Sequence, residues 1–130
     1  MIRNGVALAT VMLAGLNLGT AGARADGDLV NGEKIFSKCK ACHTLEAGKN
    51  KIGPSLQGVL GRTAGTAEGF KYSEAMKTAG AGGLVWSEES IDKYLAAPKE
   101  FVAGNKMPFP GLKKPEERAD VIAYLKSMMQ

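Results

Sequence analysis

Apolar residues near the end of the chain recur at the spacing of one helix face. They are Val121, Ile122, Leu125 and Met128, and this period is typical of an amphipathic helix that packs on a core. Pro115 stands where the helix would begin, and the two glutamates after it favour the positive end of the helix dipole. The pattern predicts a C-terminal helix that begins at Pro115.

Three further helices are predicted from polar residues that precede short apolar patterns. Each of these residues can accept hydrogen bonds from the free N–H groups at a helix start, and they are Asp28, Ser73 and Ser87. We expect the first helix to run through Phe36, the second to end at Gly80 and the third to stop at Pro98.

The segments between these helices lack helical or strand periodicity. The segment from Thr44 to Gly69 is long and glycine-rich, and the segment from Lys99 to Lys114 is broken by proline and glycine. No alternating strand pattern occurs in the chain. The expected fold class is therefore all-α, with three main helices, short helices and long loops. A loop as long as 44–69 is unusual in a compact domain.

The start of the chain has the composition of an export signal. Arg3 precedes an apolar run from Gly5 to Leu18, and small residues surround Ala23 and Ala25. We expect residues 1–25 to be a cleaved signal peptide, which leaves 26–130 as one domain. The apolar run is shorter than the roughly 20 residues of a membrane-spanning helix, so no stable membrane anchor is expected.

The charge balance is only mildly basic. The full chain has 17 basic and 13 acidic residues, and loss of Arg3 and Arg24 with the signal would leave 15 and 13, a net charge of +2. Because no arginine-rich patch or stacking aromatic motif accompanies this charge, nucleic acid is not an expected partner. The remaining length suits a small, monomeric domain.

The pentapeptide Cys39-Lys40-Ala41-Cys42-His43 contains the only two cysteines and the only histidine of the chain. This spacing is that of covalent haem attachment: two thiols add to the vinyl groups of one porphyrin, and the histidine ligates the iron. The sequence therefore predicts one covalently attached haem c per chain.

Other uses of a C-x-x-C motif are less consistent with a chain that has two cysteines and one histidine. A structural zinc ion takes four Cys or His ligands, and the chain has three. A thiol redox motif would sit near a strand-helix-strand pattern, which is absent. A plain disulfide would leave His43 unexplained.

The haem also accounts for the long loop, since burying about 400 Å² of its apolar surface would contribute on the order of 10 kcal/mol. The haem-free chain is expected to be largely unfolded.

The second axial position of the iron is open to a methionine, a lysine, water or no ligand, because His43 is the sole histidine. Met128 and Met129 belong to the C-terminal helix pattern, and Met76 lies in a short amphipathic segment where a methionine is often a space-filler. Met107 lies in a proline- and glycine-rich loop whose lack of periodicity gives no other reason for its burial. The residues therefore favour Met107.

Several segments, in this order along the chain, resemble class I cytochrome c, close to the mitochondrial protein and its soluble bacterial relatives. They are Gly53-Pro54-Ser55-Leu56, Gly61-Arg62, Gly69-Phe70-Lys71-Tyr72, Trp86, Tyr94-Leu95, Asn105-Lys106-Met107 and Glu117 to Lys126. The resemblance covers most of 32–128. It implies the small cytochrome c fold around one haem, with Met107 as the distal iron ligand.

The resemblance also implies roles for individual side chains around the haem. Arg62, Tyr72 and Trp86 would stabilise the haem propionates, Tyr94 would lie beside the methionine sulfur, and Phe109 would lie at the haem edge. Without the resemblance, ordinary core packing would explain the aromatic residues and a solvated loop charge would explain the arginine.

The backbone near the haem has implied roles too. The Pro54 carbonyl would accept a hydrogen bond from the His43 ring. Gly32 would allow the first and last helices to cross closely, with either Ile35 or Phe36 at the inner packing position. Two departures from the mitochondrial pattern affect the polar network behind the haem: Met76 replaces an asparagine and Asn105 replaces a threonine.

An iron with two protein ligands has no open position for substrate, which predicts an electron carrier that cycles between Fe(II) and Fe(III) rather than an enzyme. A haem peroxidase or small-gas binder remains possible if Met107 dissociates, although the sequence supplies no distal histidine. A dithiol protein without haem is a third alternative.

The expected partners present acidic docking sites: a quinol-cytochrome c reductase, an oxidase, a photosynthetic centre or a periplasmic dehydrogenase. The haem edge would be exposed near the two cysteines and Phe109. Lysines that cluster in sequence around this edge are Lys38, Lys40, Lys49, Lys51, Lys99, Lys106, Lys113 and Lys114. They would steer an acidic partner, unless they form only a solvated face. The export signal indicates a periplasmic location.

Overall fold

The computed structural model describes residues 27–129, and this part of the chain is helical. Its helices are α1 (Leu29–Phe36), α2 (Glu74–Ala81), α3 (Glu88–Ala96), α4 (Pro98–Phe101) and α5 (Pro115–Ser127). The described residues contain no strand, only an isolated antiparallel bridge between Thr63 and Val85. The predicted all-α fold is confirmed. The predicted signal peptide and its cleavage after Ala25 lie outside the described residues.

Polar side chains start three of these helices as predicted. Asp28 Oδ1 accepts hydrogen bonds from two backbone N–H groups of the first turn of α1, at 2.9 and 3.1 Å. Ser73 Oγ accepts one from Met76 at the start of α2, at 3.1 Å. Ser87 and Ser90 each accept a backbone N–H of the other, at 3.1 and 2.8 Å, and so cap α3 reciprocally.

Two helix boundaries differ from the sequence-based prediction. Helix α2 continues one residue beyond Gly80 and has Gly82 as its C-cap. Gly80 instead packs directly against the carbonyl group of Ala64, where a side chain would not fit. Pro98 does stop α3, but it also opens α4, so 99–114 is not entirely loop. A proline is tolerated at the first helical position because the N–H it lacks would have no partner inside the helix.

Helices α1 and α5 cross at Gly32, as the resemblance implied. A Cβ on Gly32 would contact the carbonyl oxygen of Asp120 and would lie 2.8 Å from Cβ of Tyr124. The Asp120 carboxylate accepts hydrogen bonds from the Asp28 backbone N–H at 2.7 Å and from the Asn31 amide at 2.6 Å. These bonds join the start of the domain to its last helix.

The inner packing position of α1 is shared by both candidates. Ile35 and Phe36 are 6% and 1% exposed, and the Phe36 ring lies 5.4 Å from the ring of Tyr124 on α5. The apolar face of α1 is thus two residues wide at the crossing.

The buried face of α5 ends at Leu125 and does not include Met128 as expected. Val121, Ile122 and Leu125 are buried, but Met128 is 45% exposed and Met129 packs against the core instead. Helix α5 ends at Ser127, and Met128 is its C-cap residue. None of the helices in 27–129 has the length and apolar composition that a membrane crossing requires.

Candidate functional site

A cavity of about 280 Å³ lies inside the fold. Side chains from α1, α2, α3 and α5 line it together with the loop that follows α1. Every site residue predicted from the sequence contributes to this lining: Cys39, Cys42, His43, Arg62, Tyr72, Trp86, Tyr94, Met107 and Phe109. The fold therefore brings together residues that are distant in the sequence around one space.

The pentapeptide 39–43 forms a turn directly after α1. The backbone N–H groups of Cys42 and His43 both donate to the Cys39 carbonyl, at 3.1 and 2.9 Å, and this turn brings both thiols and the imidazole to the cavity. The two cysteines form no disulfide. Burial raises the pKa of the Cys39 thiol to about 11, so the free group is protonated at neutral pH and is a poor participant in thiol–disulfide exchange.

His43 is held in one orientation by the backbone behind it. Its Nδ1 lies 2.7 Å from the Pro54 carbonyl oxygen, and because a carbonyl only accepts, Nδ1 carries the proton and Nε2 keeps a free lone pair. The implied contact between the ring and Pro54 is confirmed. Burial, with smaller contributions from the positive charges of Arg62 and Lys51, lowers the pKa of His43, although the bond to Pro54 opposes this. The ring is therefore neutral, as a metal ligand must be.

The sulfur of Met107 lies beside Tyr94. The Tyr94 hydroxyl is 3.8 Å from Met107 Sδ, as the resemblance implied, and the Tyr94 ring lies 5.0 Å from that of Trp86. Burial raises the pKa of Tyr94 to about 12, so its hydroxyl stays protonated and remains a donor at physiological pH.

Arg62 has one buried hydrogen-bond donor, Nε, that has no acceptor among the described residues. Its Nη1 donates to the Ser55 carbonyl oxygen at 3.0 Å, but its Nε is buried without a partner among the described residues. A buried donor without an acceptor costs about 1–3 kcal/mol. The Tyr72 hydroxyl accepts from the Ala67 backbone N–H at 3.0 Å, which leaves its own proton free. An anionic group in the cavity would satisfy both donors.

Two residues that were not among the predicted site residues, Met76 and Asn105, also line the cavity. Met76, interpreted as filler, is 8% exposed and lines the cavity. Asn105 also lines it and accepts the backbone N–H of Met107 at 2.9 Å. The sequence held a signal for the second, because an asparagine in a loop commonly bonds the backbone of near neighbours.

Part of the cavity lining is exposed at the protein surface. The exposed residues of that lining are Lys38, Ile52, Lys106 and Pro108. Phe109 lines the cavity and also a shallow groove that contains Lys99 and Lys113. Apolar and lysine side chains therefore lie together where the cavity opens.

The lysines predicted to surround the haem edge are all exposed. Lys49 forms an ion pair with Glu46 at 2.8 Å, whereas the other seven have no ion pair within residues 27–129. Three of them donate to backbone carbonyls instead: Lys51 to Lys40, Lys106 to Lys71 and Lys113 to Ala96. A backbone carbonyl does not neutralise the charge, so this set of lysines keeps most of its positive potential.

The residues around the cavity fit a haem c. They provide two unpaired thiols, an imidazole with a free Nε2, a thioether, and an unpartnered guanidinium donor that an anionic substituent would satisfy. The remaining lining is mostly apolar, as the faces of a porphyrin require.

Comparisons with known proteins agree with this fit. The sequence model of the Cytochrome c family matches residues 29–129. A cytochrome c2 of Agrobacterium tumefaciens is 50% identical over 101 residues, which cover 77% of this chain and 91% of that protein. A cytochrome c of Chlamydomonas reinhardtii is 56% identical over 102 residues, which cover 77% of this chain and 88% of that protein.

A solved structure has the same fold. The cytochrome c2 from Rhodospirillum centenum matches with a TM-score of 0.75 at 41% sequence identity, over 80% of this chain and 100% of that chain. The family model, the relatives and the solved structure thus agree on the family. The chain belongs to the cytochrome c family, electron carriers that hold one covalently attached haem c per chain.

Proposed function

We propose that this protein shuttles single electrons between redox partners in the periplasm, with its haem attached through Cys39 and Cys42 and its iron ligated by His43 and Met107. The observation that supports this most directly is the common cavity. Both thiols, the imidazole and the thioether line the same space, although they come from two segments of the chain.

When bound, the haem supplies the one-electron Fe(II)/Fe(III) couple. The chain's part is to hold its own donors still in both oxidation states. The Pro54 carbonyl fixes the His43 ring at 2.7 Å, and the Tyr94 hydroxyl approaches the Met107 sulfur at 3.8 Å. With Met107 and His43 as its protein ligands, the iron would have one soft thioether and one nitrogen ligand, a set that would favour the reduced state and raise the reduction potential.

Arg62, Tyr72 and Trp86 hold the haem propionates in this proposal. The support is the unpartnered Arg62 Nε, the free hydroxyl proton of Tyr72 and the place of all three residues in the cavity lining. A propionate that accepts from Arg62 Nε would remove the cost of burying that donor. Phe109, which also lines the cavity, would pack at the haem edge.

Partners dock at the opening of the cavity. Seven of the eight lysines described above have no ion pair within residues 27–129, and Lys38 and Lys106 line the cavity together with the exposed Ile52 and Pro108. This arrangement would steer an acidic partner and then let it contact the edge of the cofactor. Acidic docking sites occur on the classes of partner expected from the sequence: a quinol-cytochrome c reductase, an oxidase, a photosynthetic centre or a periplasmic dehydrogenase. The protein is exported and acts as a monomer.

The axial ligand is tested by comparing two methionine variants of the holoprotein. Met107→Ala should abolish the long-wavelength sulfur-to-iron absorption band of the ferric protein. Met76→Leu is the matched control, because it removes the other thioether of the cavity lining and should leave the band in place. A band that survives in Met107→Ala but not in Met76→Leu would reassign the ligand to Met76.

The attachment is tested by extraction. Acidified acetone should leave the pigment on the wild-type polypeptide, because thioether bonds resist it, and should release the pigment from a Cys39→Ala/Cys42→Ala variant if any haem is retained. A wild-type protein that loses its colour would contradict the proposal. Slow or absent binding of carbon monoxide by the reduced protein would argue against the peroxidase and gas-binding alternatives.

A further inference from the structure

The backbone that carries Met107 has unusually little support from the rest of the backbone. Within the described residues, segment 106–111 takes part in no backbone-to-backbone hydrogen bond. The N–H of Met107 has one partner, the side-chain oxygen Oδ1 of Asn105, at 2.9 Å. The position of Met107 therefore depends on a side chain rather than on secondary structure.

The carboxamide of Asn105 is itself fixed at its other end. Its Nδ2 donates to the carbonyl oxygens of Pro98 and Val102, at 2.8 and 2.9 Å, and its backbone N–H also donates to Val102, at 3.1 Å. These two carbonyls belong to the first residue of α4 and to the residue after its end. Two carbonyls on one side and an N–H on the other allow only one orientation of the amide.

The same oxygen lies near the side chain that approaches the sulfur. Oδ1 of Asn105 is 3.5 Å from the Tyr94 hydroxyl, and that hydroxyl is 3.8 Å from Met107 Sδ. Asn105 is thus next to both ends of Met107: it bonds the backbone directly and it neighbours the donor at the thioether.

We propose that Asn105 is a positioning residue that clamps Met107 to α4 and so keeps the thioether on the haem iron. This inference rests on the proposed function, since it takes Met107 as the iron ligand. An asparagine suits the task because one short, planar group donates to two carbonyls and accepts one N–H. A leucine has a similar shape and can make none of these bonds. An ionised aspartate keeps the acceptor for Met107 but cannot donate to Pro98 and Val102.

The test measures how easily an added ligand displaces Met107. Ferric holoprotein is titrated with imidazole, and the sulfur-to-iron band is recorded for the wild type, Asn105→Leu and Asn105→Asp. Each hydrogen bond of this kind changes an equilibrium roughly two- to tenfold, so we expect Asn105→Leu to bind imidazole about tenfold more tightly and to have a weaker band. Asn105→Asp should lie between Asn105→Leu and the wild type.

The control separates positioning from general destabilisation. Ser87→Ala removes the N-cap of α3 and should lower the unfolding midpoint to a similar extent, yet it should leave the imidazole affinity and the band unchanged. Wild-type behaviour of Asn105→Leu, or of Asn105→Asp should the leucine variant not fold, would overturn the inference. An equal rise in imidazole affinity for Ser87→Ala would overturn it as well.

A failure of the proposed function would look different. In that case the wild type would lack the band, or Met107→Ala would keep it, and the clamp would have no ligand to hold. With the band shown to come from Met107, only the Asn105 variants decide the positioning role.

Discussion

Gly53 packs flat against the imidazole ring of His43. A Cβ at this position would lie 2.7 Å from Nδ1 and 2.9 Å from Nε2, closer than real side chains approach. The absence of a side chain at 53 is therefore what allows the ring to reach the Pro54 carbonyl.

Gly53→Ala should push the His43 ring away from Pro54. Overpacking of this kind costs about 1–3 kcal/mol, so the free energy of unfolding of the holoprotein should fall by that amount and the reduction potential should shift. Guanidinium unfolding followed by circular dichroism and a redox titration measure the two effects. Gly82→Ala is the matched control, since the nearest atoms to its Cβ would be 3.4 Å away. Equal stability of the two variants would contradict the expected clash.

Gly32→Ala should separate α1 from α5. Alanine is intrinsically better in a helix than glycine by about 1 kcal/mol, so a net loss of stability would show that the contacts with Asp120 and Tyr124 outweigh propensity. We expect a net loss of about 1–3 kcal/mol in the unfolding free energy of the holoprotein. The sulfur-to-iron band should persist in the folded fraction, because the substitution is at the helix crossing and not in the cavity lining. A stabilised variant would show that the helices can move apart at no cost.

The lysines at the cavity opening should control the reaction with a membrane oxidase. Lys38→Glu and Lys99→Glu should each slow oxidation of the reduced protein several-fold at low ionic strength, because they reverse a charge that steers the partner. The difference should shrink near 0.1 M salt, where the Debye length is about 10 Å.

Lys126→Glu is the control for net charge. Lys126 lies on α5 and pairs with Glu88 at 3.4 Å, outside the set of lysines at the opening, and a surface pair of this kind contributes little to stability. Its oxidation rate should stay near that of the wild type. If all three variants slow the reaction equally, net charge rather than the position of the lysines steers the partner.

Tyr94 should make the folded state less stable at high pH. Burial raises its pKa from 10.0 to about 12, so the unfolded chain loses the phenolic proton first. The stabilising contribution of Tyr94 is therefore complete below pH 10 and decreases as the pH rises from 10 towards 12. Between pH 9 and pH 11 the stability of the wild type relative to Tyr94→Phe should fall by about 1 kcal/mol. A difference between the two proteins that does not change over this range would show that the hydroxyl ionises normally.

The features that could be predicted from sequence are local ones. A cap such as Asp28 acts on the next three residues, and the attachment turn 39–43 is defined within five positions, so neither needs knowledge of the fold. The resemblance to a family added the positions of distant partners, of which the contact between His43 and Pro54 is one.

The features that could not be predicted depend on contacts between distant segments. Gly80 looks like a helix end until the loop containing Ala64 is placed against it. The bonds from Asn105 reach back only seven and three positions, to Pro98 and Val102, but they depend on how the chain turns after α4. Periodicity predicted a buried Met128, but this C-cap residue of α5 is 45% exposed.

The crossing of α1 and α5 also has a consequence for the order of cofactor attachment and domain closure. Asp28 and Asp120 are joined by a hydrogen bond between residues 92 positions apart, so this contact forms only once almost all of the polypeptide has been synthesised. Until then α1 lacks α5, the only helix within residues 27–129 on which it packs, and we expect the two thiols that follow α1 to remain accessible. We therefore expect that the cofactor can be attached before the domain closes, and that packing of the last helix completes the fold.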